Sequence, residues 1–106
     1  MDPETNARID SQFKDNRVML FMKGTPQFPQ CGFSAQVVEV LNREETAFGS
    51  LDVLSDQEIR QGIKEYSDWP TIPQLYVDGE FVGGCDIVIE MYQSGELRNV
   101  LAEKTA

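Results

Sequence analysis

The chain has 106 residues, 41% of them apolar and 25% charged, and its nine basic residues against 18 acidic ones leave a net charge of −9. That length suits one domain with one core, here spanning residues 1–106, and the acidity opposes non-specific binding to nucleic acid or anionic membranes, both of which need a positive face. Histidine is absent, which removes Cys–His catalysis and the usual zinc ligand.

Met1-Asp2-Pro3-Glu4-Thr5-Asn6 is polar and acidic, with neither the basic nor the apolar region of a signal peptide, and no apolar run approaches membrane-spanning length. Two cysteines are too few for a secreted disulfide scaffold, so a reducing, cytoplasmic setting is expected. Asp2-Pro3 reads as an N-cap followed by proline at the first helical position, opening a helix to about Lys14. Ile9 and Phe13, four apart, would tack it onto the domain. Arg17-Val18-Met19-Leu20-Phe21-Met22 has the length and apolarity of a strand.

Lys23-Gly24-Thr25-Pro26 breaks that strand, and Pro29 and Gly32 bracket Cys31. From Phe33 to about Arg43 the pattern turns helical, with Val37, Val38 and Leu41 on one face. Ala47–Val53 is a second extended run, weakened by Gly49 and Ser50. Ser55-Asp56-Gln57-Glu58 has the form of a capping box opening a helix with Ile59, Ile63 and Tyr66 on its apolar side. Trp69-Pro70-Thr71-Ile72-Pro73 interrupts it. Gln74–Val77 and Glu80–Val82 flank Asp78-Gly79, a strong hairpin signal. Asp86 is placed to cap a helix from Ile87 to about Tyr92, Ser94-Gly95 breaks the chain, and Leu97, Val100 and Leu101 mark a last helix. A β-α-β unit followed by a hairpin predicts a mixed four-stranded sheet with helices on both faces, the α/β shape of a thioredoxin-like domain, with an extra helix at the N-terminus.

Cys31 is the first candidate for chemistry. At or just before a helix N-terminus, unpaired amides and the macrodipole favour thiolate over thiol. Position 34 is serine, so Cys31 has no neighbouring thiol to resolve a mixed disulfide, which leaves one-thiol chemistry or ligation. Lys23 is a partner for an anion or thiolate, or a solvated charge at a strand end. Arg60 and Lys64, four apart, suit a carboxylate clamp or pairs with Glu58 and Glu65. A cis bond before Pro73 would let Ile72 offer its backbone to a peptide-like ligand; the alternative is a plain loop with trans prolines. Gly83-Gly84 permits a nest of N–H donors or a tight turn. Cys85 has apolar neighbours that suggest a covered position rather than a distant resolving thiol, and Trp69 and Phe33 read as core or rim.

Met22-Lys23-Gly24-Thr25-Pro26, Cys31-Gly32-Phe33-Ser34, Trp69-Pro70-Thr71-Ile72-Pro73-Gln74 and Gly83-Gly84-Cys85-Asp86, in that order, resemble the single-domain monothiol glutaredoxins of CGFS type. The resemblance runs from about residue 5 to the end. It implies glutathione in a groove beside Cys31, with Lys23 and Arg60 at the glycyl carboxylate and Ile72, behind a cis Pro73, at the cysteinyl backbone. Cys85 and Asp86 would hold the γ-glutamyl end, and Phe33, Thr71 and Gly84 belong to the same binding set. It further implies a [2Fe–2S] cluster ligated by Cys31 at a homodimer interface, a BolA-like partner, and apoproteins that receive the cluster in iron and redox homeostasis. Weak activity in ordinary glutaredoxin assays goes with that role. A cluster of this kind takes four soft ligands, and two chains with two glutathione thiols would complete the set. The competing reading is a glutathione-dependent thiol–disulfide oxidoreductase with Cys31 as nucleophile.

Overall fold

The computed structural model describes residues 2–102. Helix α1 (Pro3–Asp15) leads into strand β1 (Val18–Met22), helix α2 (Gly32–Arg43) and strand β2 (Gly49–Asp52). A 3₁₀ turn at Val53–Ser55 and helix α3 (Gln57–Ser67) follow, then strands β3 (Gln74–Val77) and β4 (Glu80–Gly83) and helices α4 (Cys85–Ser94) and α5 (Glu96–Leu101). The sheet runs β2-β1-β3-β4, with β1 and β2 parallel and the other two pairings antiparallel. This is the expected thioredoxin-like α/β arrangement, with α1 as the extra N-terminal helix.

All five residues of β1 are buried, because helices cover both faces of the sheet. Val18, Leu20 and Met22 meet α2, α4 and α5 through Val38, Leu41, Val88 and Leu97. Met19 and Phe21 point the other way, onto Ile9 of α1 and Ile59 and Ile63 of α3. Each fully buried side chain of this size contributes about 1.5–3 kcal/mol. Phe13 of α1 stacks on Tyr76 at 4.8 Å and meets Phe21 edge-on at 6.1 Å, so the tack expected from Ile9 and Phe13 exists.

Local signals set most boundaries. The Asp2 carboxylate accepts from Glu4 N with Pro3 at the first helical position, and the Asp78-Gly79 turn has both residues at positive φ, 54° and 77°, the pairing a two-residue hairpin needs. Three expectations are corrected. The capping residue of α3 is Asp56, whose carboxylate accepts from Ile59 N at 3.1 Å. The 3₁₀ turn shifts the helix start by one residue and leaves the Ser55 hydroxyl donating to Asp52 O. The second extended run shrinks to Gly49–Asp52 and includes the two residues expected to weaken it. Asp86, expected to cap its helix, lies inside the first turn; α4 starts at Cys85 with Gly84 as its cap.

Gly49 is there for space. A Cβ on it would lie 2.3 Å from the Asn16 side chain, which closes the end of α1 by donating from Nδ2 to Gln12 O at 3.0 Å. Gly49→Ala is therefore expected to cost about 1–3 kcal/mol in denaturant unfolding, and adding Asn16→Ala should return part of the loss.

Candidate functional site

Strand β1 delivers Lys23 to the loop that carries the thiol. Gly24 turns the chain at φ +88°, and a Cβ there would sit 2.5 Å from Phe28 O. The loop closes through Phe28 N donating to Thr25 O at 3.0 Å and Gln30 N donating to Lys23 O at 2.9 Å. Asp52 at the end of β2 fastens it from beneath, accepting from Gly24 N at 2.9 Å.

Cys31 is the capping residue of α2, in extended conformation, and no side-chain capping bond is made there. Its sulfur stands where Ser, Thr, Asp or Asn would ordinarily satisfy the first amides of a helix. Partial burial opposes the thiolate, but the Ser34 and Phe33 amides, the Ser34 hydroxyl and the Lys23 charge outweigh it, and the thiol pKa falls below its ordinary value. Ser34 is itself fully buried, and its hydroxyl accepts from Lys23 N at 3.1 Å. The residue that replaces a second thiol thus ties the thiol helix to the end of β1.

Cys31 opens onto a groove of about 470 Å³. Lys23, Phe33, Arg60, Thr71, Ile72, Pro73, Gly84, Cys85 and Asp86 all line it; of the Gly83-Gly84 pair only Gly84 does. The Ile72–Pro73 bond is cis. Lys64 and Trp69 line the groove too. The Arg60–Lys64 spacing already hinted at the first. Trp69, read as core or rim, is a wall: its ring packs on Phe81 at 5.9 Å, and a Cβ on Gly84 would lie 3.1 Å from its indole nitrogen.

The groove is electropositive in an acidic protein. Arg8 pairs with Asp56 and Glu58, Arg17 with Asp78, Arg43 with Glu39 and Arg98 with Glu44. Among the described residues Lys23, Arg60 and Lys64 form no ion pair, and all three face the groove. Glu58, a candidate partner for Arg60 and Lys64, is held by Arg8 instead. Helix α4 also starts at the groove with no side-chain cap, so its first amides add to the positive end. The Gly83-Gly84 corner therefore serves both as a tight turn and as an approach to free N–H donors.

Cys85 is buried and its thiol donates to Gln36 Oε1 at 3.4 Å. Burial pushes its pKa up, with Asp86 and Cys31 adding to the effect. Two cysteines share one groove, one poised as thiolate and one held as thiol. Both are free.

Fold and site define a thioredoxin-like protein built around one accessible thiolate beside an anion-receiving groove. The Glutaredoxin family model matches residues 18–82. An uncharacterized ycf64-like monothiol glutaredoxin of Synechocystis sp. is 65% identical over 101 residues, 95% of this chain and 94% of that protein. The chloroplastic monothiol glutaredoxin-S7 of Oryza sativa is 56% identical over 99 residues, 93% of this chain and 59% of the rice protein. The solution structure of reduced apo GrxS14 from poplar is 53% identical, covers 89% of this chain and 86% of that one, and superposes with a TM-score of 0.80. The chain belongs to the glutaredoxin family, and its relatives place it in the monothiol group. No helix among the described residues is long and apolar enough to cross a membrane; with a chloroplastic protein among the relatives, kinship does not assign the expected cytoplasmic setting.

Alkylation by iodoacetamide, which needs the thiolate, should titrate at Cys31 with a midpoint below that of an ordinary thiol, and Ser34→Ala should move the midpoint up. Because the folded pKa lies below the unfolded value of about 8.5, ionised Cys31 adds stability that is present above that value and lost as pH falls through the folded pKa. Wild type should therefore lose stability relative to Cys31→Ser as pH falls through that window. An alkylation midpoint at or above the ordinary value would refute the placement.

Proposed function

We propose that this chain binds glutathione in the groove and, as a pair of copies, holds a [2Fe–2S] cluster that it passes to apoproteins in iron and redox homeostasis. The observation that carries this reading is the thiol inventory: one accessible, ionisation-prone thiol at Cys31, serine at position 34, and Cys85 covered.

The groove's charge suits a tripeptide with a carboxylate at each end. Lys23 and Arg60 would take the glycyl carboxylate as charge-assisted hydrogen bonds. The free amides at the start of α4 would take the γ-glutamyl carboxylate, and the Asp86 side chain its ammonium. Ile72, behind the cis Pro73, offers main-chain groups to the cysteinyl residue, with Phe33, Thr71, Gly84 and the Cys85 backbone enclosing it. The glutathione thiol then lies beside Cys31.

The donor set fits a shared cluster. Cys31 is soft, partly exposed and readily ionised, as a ligand must be. Among the described residues no group of three or more His, Cys, Asp or Glu side chains is placed to hold a metal. Four ligands therefore need two copies of Cys31 and two glutathione thiols. A set that is half small molecule is easily dismantled, which suits a carrier whose cluster is cargo. Phe28 and Phe33, both exposed at the thiol loop, would be covered by the second copy or by a BolA-like partner.

The lowered Cys31 pKa also favours a second reading as a deglutathionylase. The Cys31 thiolate would attack the glutathione sulfur of a mixed disulfide and release the protein thiolate. A second glutathione thiolate would then attack the Cys31–glutathione bond, giving oxidised glutathione and free Cys31.

Anaerobic reconstitution with iron, sulfide and glutathione separates the two. A brown dimer dependent on glutathione, lost in Cys31→Ser and kept in Cys85→Ser, is the expected result. Colour retained without Cys31 would remove the assignment, and a colourless monomer would favour the exchange chemistry. Arg60→Ala should weaken glutathione binding by about tenfold by calorimetry, the loss of one hydrogen-bonded charge contact.

A further inference from the structure

Gln74 is the first residue of β3, next to the cis Ile72–Pro73 bond, and is fully enclosed. It does not line the groove. Its amide nitrogen nevertheless spends both of its hydrogen bonds on the groove's wall. Nε2 donates to Trp69 O at 3.1 Å and to Thr71 O at 3.2 Å, while Oε1 accepts from the Tyr76 hydroxyl at 2.9 Å. Two carbonyl acceptors on one side and a hydroxyl on the other fix which end of the amide is nitrogen. Turned over, its oxygen would face two carbonyl oxygens.

The support behind this contact is rigid. Tyr76 is buried among Phe13, Phe21 and Phe81. Burial pushes its phenol up to about 12, so it stays a donor at neutral pH. The segment that Gln74 grips, Trp69 to Pro73, forms one continuous side of the groove. It has no helix or strand of its own, so hydrogen bonds from outside must hold it.

We infer that Gln74 is a positioning residue, which holds the Trp69–Pro73 wall from behind in the form that receives an extended peptide ligand. The inference rests on the glutathione reading of the groove. A purely structural glutamine would lower thermal stability and leave ligand affinity, measured far below the melting temperature, unchanged. A positioning glutamine lowers affinity in a chain that is still folded.

The test uses Gln74→Met, which keeps the unbranched shape and removes all three hydrogen bonds. Folding is checked by far-UV circular dichroism. Glutathione is titrated by calorimetry, and acrylamide quenching of Trp69, the only tryptophan in the chain, is measured without ligand. The expected result is affinity lower by about tenfold, with Trp69 more readily quenched. Affinity within about twofold of wild type overturns the inference, whatever the quenching does. If wild type binds no glutathione, the reading of the groove falls separately. Ligand-free quenching then decides: a rise in the variant sustains the positioning role and an unchanged value ends it. Should Gln74→Met not fold, Tyr76→Phe removes only the hydroxyl that orients the amide. A loss of about threefold in affinity there supports the role and no loss overturns it.

Discussion

The start of α2 is left without an ordinary cap, and the chemistry of the site follows from that. A helix N-terminus presents amides that must find acceptors, and here the residue at the capping position is Cys31. The thiolate satisfies the Phe33 and Ser34 amides better than the thiol does, so the helix's own need lowers the pKa. The loop leaves the Cys31 side chain partly exposed at the groove. The Gly24 turn and the Asp52 carboxylate beneath it bring the loop to that position.

Charge is distributed to the same end. A protein this acidic would be expected to neutralise its bases wherever it can, and four of its arginines are in ion pairs away from the groove. Exposed pairs of this kind add little stability. Their consequence for the site is selective: Asp56, four residues before Arg60 and so able to pair with it, is turned toward Arg8 on α1, as is Glu58. The N-terminal helix therefore does more than cover the sheet, because it draws an acidic residue away from the binding face. What remains is a positive groove on a negative surface, which focuses attraction on small anionic ligands and repels polyanions.

Features governed by neighbours in sequence were the legible ones. The apolar run of β1, the Asp78-Gly79 turn, the Asp2-Pro3 cap and the position of Cys31 before a helix depend on residues within a few places of each other. The groove itself was legible through four short motifs and their resemblance to a known family. What escaped depended on distant contacts. Gly49 read as a weakness because Asn16, which needs its space, lies 33 positions away. Asp86 read as a cap, since sequence does not reveal that α4 winds from Cys85. Trp69 read as core or rim because its role is set by Gly84 and Phe81, across the groove and along another strand. Lys64 gave only a spacing, and its importance came from its place in the groove lining.

Among the described residues, two of the three buried polar side chains, Ser34 and Gln74, stand behind the groove. Burying a polar group is favourable only when its hydrogen bonds are complete, and apolar residues of similar volume would fill both places at less risk. Both instead hydrogen-bond to backbone that borders the groove, Ser34 accepting from Lys23 N and Gln74 donating to Trp69 O and Thr71 O. Apolar packing is non-directional and would let those segments slide. A hydrogen bond specifies angle and register, which a loop with no ladder of its own cannot obtain otherwise. The polar residues one layer below the site therefore carry its precision, while the residues facing the ligand carry its charge and its thiol.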